Sequence, residues 1–159
     1  MNDPMLYVQR YKRAQRMISN QTEGLTHHDS LLQLPFRGNC MNWVLGHIMV
    51  YRDLVLQMLG EETLLDEREK SLYKKESEPI TDEETAVPLE RLLSVLQESE
   101  ERLVTALEEV TSEGWEANAE QGDEYSVGEW IEFLEWHENY HVGQLEILRQ
   151  LAGKDDAII

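Results

Sequence analysis

Residues 126–151 alternate apolar and polar side chains with the period of a helix. At about 100° per residue, Val127, Trp130, Phe133, Leu134, His137, His141, Gln144, Leu145, Leu148 and Leu151 fall on one stripe facing a core. Ser126 and Glu129 have the Ser-x-x-Glu spacing of a capping box, which sets where this helix starts, and Gly153 marks its end. Three more segments carry the same period. Asp3-Pro4 opens a first helix, with Asp as N-cap and Pro at the first helical position; Tyr7, Val8, Tyr11, Ala14, Gln15 and Ile18 turn inward, and the end falls near Ser19-Asn20. A second helix spans 39–59 and stops at Gly60. Its residues Cys40, Trp43, Val44, Val50, Tyr51, Leu54, Val55 and Met58 lie within about 80° of His47. A third begins at Pro88 and repeats Leu89, Leu92, Leu93, Leu96, Leu103, Leu107 and Val110 on one stripe. Glu100 interrupts that stripe and reads either as a carboxylate near the site or, more simply, as an edge residue reaching solvent.

The connections differ in kind. Residues 21–38 contain Gly24, His27-His28, Pro35 and Gly38, which break any helical period and read as a loop. Adjacent histidines cannot face one ligand from regular structure, so His27 and His28 are expected at the surface. Residues 60–87 form a long acidic connection that suits the crossover of a four-helix bundle and leaves room for a short surface helix. Residues 111–125 hold Gly114, Trp115 and the turn-like Gln121-Gly122-Asp123, and the last six residues are expected to be loosely held. The fold class is therefore all-α, a four-helix bundle with a long crossover between helices 2 and 3, in one domain over 1–159.

Fourteen basic against 32 acidic side chains give a formal charge of −18, which repels nucleic-acid phosphates and anionic membrane surfaces. Most of this acid reads as a solvated helix surface. Cys40 is the only cysteine, which excludes an internal disulfide and a cysteine-built zinc site; it reads as a small buried residue. The N-terminal residues lack the apolar core of a signal peptide, and no run approaches the about 20 apolar residues of a membrane span. A cytoplasmic protein is expected.

The chemistry lies with three of the five histidines. His137 and His141 are one turn apart on an apolar face, close enough to share one metal through bonds of about 2.0–2.1 Å. His47 is central on the core face of another helix, and a common ion would explain why all three sit at mid-helix. Cys40, seven residues before His47, is about 10 Å away along the axis and cannot join them. His137-Glu138-Asn139-Tyr140-His141 also fits the H-E-x-x-H pattern of zinc peptidases. No histidine follows His141 to supply a third ligand and no strand is available to hold a peptide, so that reading is set aside; Glu138, some 100° from His137, is expected at the rim. Trp43, Tyr51 and Gln144 are open to a role at the site or to plain packing. A second stripe, Trp136, Tyr140, Gly143 and Ile147, together with Leu45, Met49 and Leu56 on the outer side of the second helix, points to a homodimer.

N-W-V-L-G-H-I, with His47, and H-E-N-Y-H-V-G-Q-L, with His137, His141 and Gln144, resemble the two histidine motifs of the DinB-like superfamily. The resemblance runs over nearly the whole chain. It implies a bundle holding a divalent metal through His47, His137 and His141, commonly as a dimer. Members with assigned activities are metal-dependent transferases or isomerases using low-molecular-weight thiols such as bacillithiol or mycothiol. Three neutral imidazoles leave an ion its full charge and open positions, which suits activation of a thiol or of water. The expected function is a metal-dependent thiol transferase or isomerase acting on a small electrophile. A hydrolase of a small substrate and a non-enzymatic, metal-stabilised dimer remain open. An all-imidazole set does not choose among zinc, nickel, iron and manganese, and binding is expected to weaken as pH falls through about 6.5, where histidine titrates.

Overall fold

The computed structural model describes residues 3–119 and 125–156. Among them are seven helices, α1 (Pro4–Thr22), α2 (His27–Ser30), α3 (Met41–Met58), α4 (Glu67–Tyr73), α5 (Leu89–Glu109), α6 (Ser112–Glu116) and α7 (Val127–Leu151). No strand occurs there, only an isolated bridge between Asn118 and Ser126. The protein is all-helical. Helix α1 packs on α5 and α7, and α3 packs on the same two, so the four long helices close a ring around the core. The Gln121-Gly122-Asp123 turn lies outside the described residues.

The helix starts follow from local chemistry. The Asp3 carboxylate accepts from the Met5 N–H at 2.9 Å, and the Ser126 and Glu129 side chains satisfy each other's backbone donors. Helix α1 continues past Ser19-Asn20 because Gln21 and Thr22 are buried and the Thr22 hydroxyl donates back to the Ile18 carbonyl at 2.8 Å. All six residues of its inward stripe are buried. The 21–38 connection is not wholly loop. Thr26 and Asp29 cap a single turn, α2, and His27 is half-buried with Nδ1 accepting from the Leu89 N–H at 3.2 Å, a free donor at the start of α5. His28 is exposed.

Two expectations about faces are corrected. Leu45, Met49 and Leu56, assigned to an outer side of the second helix, are fully buried. The connection over residues 60–87 folds back over α3, and Leu45 and Met49 join Leu65, Tyr73, Leu92 and Leu96 in one apolar cluster. Gly46 allows this. A Cβ there would lie 2.3–2.5 Å from carbons of the Tyr73 ring, so only glycine admits the tyrosine against the helix. On α7 the buried face is turned by roughly 80° from the expected stripe, most of a residue step. Ile131, Glu135, Glu138, Val142 and Arg149 are buried, whereas Phe133 is 49% exposed and Trp130 half-buried. Histidines 137 and 141 therefore sit at the border between core and solvent.

A buried ion pair lies on the turned face. Glu138, expected at the rim, is 3% exposed, and its oxygens accept from Arg52 Nε and Nη2 at 3.0 and 2.6 Å. Arg52 Nη1 donates to Gln15 Oε1, the Leu96 carbonyl and Ser99 Oγ at 2.8–3.1 Å. One guanidinium thus joins residues from α1, α3, α5 and α7. It separates two apolar clusters, one around Ile18, Met49, Leu96 and Leu145 and the other around Tyr11, Val55, Leu103 and Leu134. Ser99 takes the inward place beside Glu100, which is half-buried.

Candidate metal centre

His47 reaches the centre from α3, His137 and His141 from α7. One ring nitrogen from each lies within 4.8 Å of the other two, a grouping able to hold a metal ion. His137 and His141 present Nε2 atoms 3.1 Å apart, within the about 3.0–3.4 Å spacing that bonds of 2.0–2.1 Å impose on neighbouring ligands. The ring of His47 stands 5.3 Å from that of His137 and 4.7 Å from that of His141, centroid to centroid.

The far side of the cluster fixes the tautomers. His47 Nδ1 is 2.6 Å from the Tyr73 carbonyl, which can only accept, so Nδ1 carries the proton and Nε2 has a free lone pair. His141 Nδ1 is 2.9 Å from Gln144 Oε1, with the same result. Gln144 thus orients an imidazole. Outward N–H donation that leaves the other nitrogen bare is the support metal-binding histidines use.

The walls are aromatic. Trp43 stacks on His47 at 4.3 Å and 19°, and its Nε1 donates to Ser77 Oγ at 2.9 Å. Tyr51 meets His47 edge-on at 4.9 Å and His137 at 4.4 Å. On the solvent side Phe133 stacks on His137 at 6.3 Å and Tyr140 packs edge-on to His141 at 5.2 Å. Burial among these rings pushes the pKa of His47 and of His137 down to about 4 and lowers that of His141. The rings are therefore neutral and available as ligands well below the pH expected from an ordinary histidine.

Two residues leave the list of chemical candidates. Cys40 is 1% exposed, donates to the Ile80 carbonyl at 3.5 Å, and has its thiol pKa raised by burial, which makes it a poor nucleophile. Glu138, the carboxylate a zinc peptidase would need beside its metal, instead pairs with Arg52 in the core. That geometry removes the H-E-x-x-H reading. Residues whose roles the sequence did not show are Tyr73, whose carbonyl holds His47, and Gly46, which lets Tyr73 approach. A glycine inside an otherwise apolar helix was the available signal.

The sequence profile of the DinB superfamily matches residues 10–145. The chain belongs to the DinB superfamily. No curated protein matches it. The matched span contains all three histidines, and the structure gathers them into one cluster able to take a metal. No helix among the described residues is long and apolar enough to cross a membrane.

Proposed function

We propose that this DinB-superfamily protein is a metal-dependent thiol transferase or isomerase, a four-helix bundle with a long crossover in which His47, His137 and His141 hold a divalent ion. The reading takes 1–159 as one domain, working in the cytoplasm as a homodimer on a small electrophile. One observation carries the site: two of the three imidazoles spend Nδ1 on acceptors outside the cluster, which aims their Nε2 lone pairs inward. His141 Nε2, left bare by the Gln144 bond, faces His137 Nε2 at 3.1 Å, a gap that either the N–H of a neutral His137 or a cation shared by both rings fills. The all-imidazole donor set leaves the ion open among zinc, nickel, iron and manganese.

A divalent ion in this place supplies a nucleophile at neutral pH by lowering the pKa of a thiol or water it ligates. The chain's own residues do the rest. The Tyr73 carbonyl and Gln144 hold the rings of His47 and His141 against rotation. Trp43 closes the core side of the cluster and restricts water there, while the half-buried Tyr51 and His137 leave their sides of the cluster open to substrate. The Tyr51 phenol, its pKa raised by burial, keeps its proton and remains a hydrogen-bond donor.

The test begins with elemental analysis of protein purified without a metal-binding tag. Stoichiometric metal that disappears in His47→Ala while helicity stays intact supports the centre; a metal content unchanged by the substitution overturns it. A screen of several thiols with model electrophiles follows. Turnover that requires the thiol supports the transferase reading, and turnover without it identifies a hydrolase. A lower melting temperature as the only effect of His47→Ala, with no turnover in either protein, assigns the ion to stability alone.

A further inference from the structure

With 32 acidic side chains against 14 basic ones, a cluster of unpaired basic groups is an exception on this surface. One adjoins the histidines. A cleft of about 340 Å³ between α3 and the end of α4 is lined by Tyr51, Gln57, Thr63, Lys70, Lys74 and Lys75, among others. Tyr51 is the shared wall, since its ring also packs on His47 and His137. Asp53 borders the cleft too, yet its oxygens accept from the Leu64 and Leu65 N–H groups at 2.9 Å and it is 2% exposed. Its charge is spent on the crossover backbone. Lys70 is held by Thr63 Oγ1 at 3.0 Å and Glu67 at 3.5 Å. Lys74 and Lys75 are exposed, and their ammonium groups pair with nothing among the described residues.

The backbone that presents them is under constraint. The Ser77 N–H closes a turn on the Lys74 carbonyl at 3.1 Å, and between them Glu76 has φ 65°, the left-handed region that a residue with a side chain seldom adopts. The turn is fastened at both ends to the histidine cluster, through the Tyr73 carbonyl on His47 and through Ser77 Oγ on Trp43. Between those fastenings stand Lys74 and Lys75, with the exposed Glu76 after them, and neither ammonium makes an ion pair among the described residues. An anion would supply one. Lysine suits carboxylate or phosphate as a compact point charge, and a chain of this net charge needs local positive potential to admit an anion at all.

We propose that this cleft binds the carboxylate or phosphate group of a small substrate whose other end reaches the histidine cluster past Tyr51. The anion site stands on the cleft and its lysines; its service to the cluster rests on the metal-site reading above.

Two measurements on the full-length protein test this. In the first, metal-free protein is titrated with inorganic phosphate, with succinate and with uncharged succinamide while amide NMR shifts are followed. Saturable shifts at Tyr51, Thr63, Lys74 and Lys75 are expected with an anion and absent with succinamide, and the tighter of the two anions identifies the group. The double variant Lys74→Ala/Lys75→Ala should weaken that anion about fivefold, as for two exposed charge contacts, and Lys12→Ala should not. Shifts that fail to saturate, that spread equally to Lys12 and Lys154, or that survive the double substitution overturn the proposal. In the second, cobalt(II)-loaded protein is titrated with mercaptosuccinate and with 2-mercaptoethanol, reading the thiolate-to-cobalt absorption. The charged thiol should saturate at lower concentration, and Lys74→Ala/Lys75→Ala should abolish that preference. An absorption band with equal affinity for both thiols overturns the anion site's link to the cluster and leaves the metal reading standing. Absence of any band with either thiol overturns the metal reading, while the NMR titration decides the anion site independently.

Discussion

Arg52 of α3 and Glu138 of α7 form a two-bond ion pair at 3.0 and 2.6 Å, with neither side chain more than 3% exposed. Glu138 directly follows His137 in sequence, so drawing its carboxylate inward fixes the rotation of α7 and with it the direction of both α7 histidines. Removing one partner strands the other charge in the core, which costs about 3–5 kcal/mol. Arg52→Met and Glu138→Gln are each expected to lower the unfolding free energy by that order, read as a lower urea midpoint with an unchanged slope. Replacing both, as Arg52→Met/Glu138→Leu, should recover much of the loss, because no uncompensated charge remains. A single substitution costing under about 1 kcal/mol, the range of exposed pairs, would show that the pair is not desolvated in solution.

Gly46 and Tyr73 separate packing from ligand support. In Gly46→Ala the new methyl meets the Tyr73 ring at 2.3–2.5 Å unless the segment that carries Tyr73 moves away. Overpacking of this kind costs about 1–3 kcal/mol, offset by up to about 1 kcal/mol of helix propensity. It should also displace the carbonyl that holds His47 Nδ1 and weaken metal binding by about 10- to 100-fold. Tyr73→Phe keeps that carbonyl but loses the hydroxyl that donates to Asn42 Oδ1 and accepts from the Val87 N–H. It should cost about 1–3 kcal/mol of stability and leave metal affinity nearly unchanged. Competition with a chromogenic chelator reads the affinity, and equal losses in the two variants would refute the assignment of the carbonyl.

The helices and the pairing of His137 with His141 were legible because both depend on spacing along one segment, and His47 was added by its mid-helix place on the core face of a second helix. Asp3-Pro4, the Ser126–Glu129 box and the stripe of α1 all express local rules, and so does the one-turn separation of His137 and His141. Glu138 was misplaced because a carboxylate reads as solvent-facing until its partner is known, and Arg52 lies 86 residues away. The burial of Leu45 and Met49 was hidden for a related reason: the 60–87 connection that covers them is acidic and aperiodic, with its apolar contacts reduced to Leu65, Tyr73 and a few neighbours. The support of His47 comes from a main-chain carbonyl, which no side-chain pattern records.

Burial places the proton competition lower than an exposed histidine would. His47 and His137 titrate at about 4 in the fold, against about 6.5 in an unfolded chain. Between those values the unfolded state binds more protons, so the stability of the metal-free protein is full above about pH 6.5 and falls as pH drops toward 4. Metal binding follows a different course. Protons displace the ion only once the folded imidazoles accept them, so affinity should change little between pH 7.5 and about 5.5 and collapse below about 4.5. Equilibrium dialysis across this range checks it, and a steep loss centred near 6.5 would mean that the rings are not buried in solution.

The homodimer now rests on α7 alone. Trp136, Tyr140 and Ile147 are 60%, 59% and 54% exposed, and the Trp136 and Tyr140 rings stack at 6.4 Å. Large apolar side chains gathered on one helix face mark an association surface. The counterpart expected on α3 does not exist, since Leu45, Met49 and Leu56 are fully buried within the chain. Two copies would therefore meet through α7 against α7 across a two-fold axis, the arrangement that buries a single patch on itself. Trp136→Lys/Tyr140→Lys should convert a dimer into a monomer in sedimentation at micromolar concentration, with helicity unchanged because both side chains stand outside the core. A wild-type protein that sediments as a monomer under the same conditions would remove the dimer, and a variant that remains dimeric would move its interface off this face.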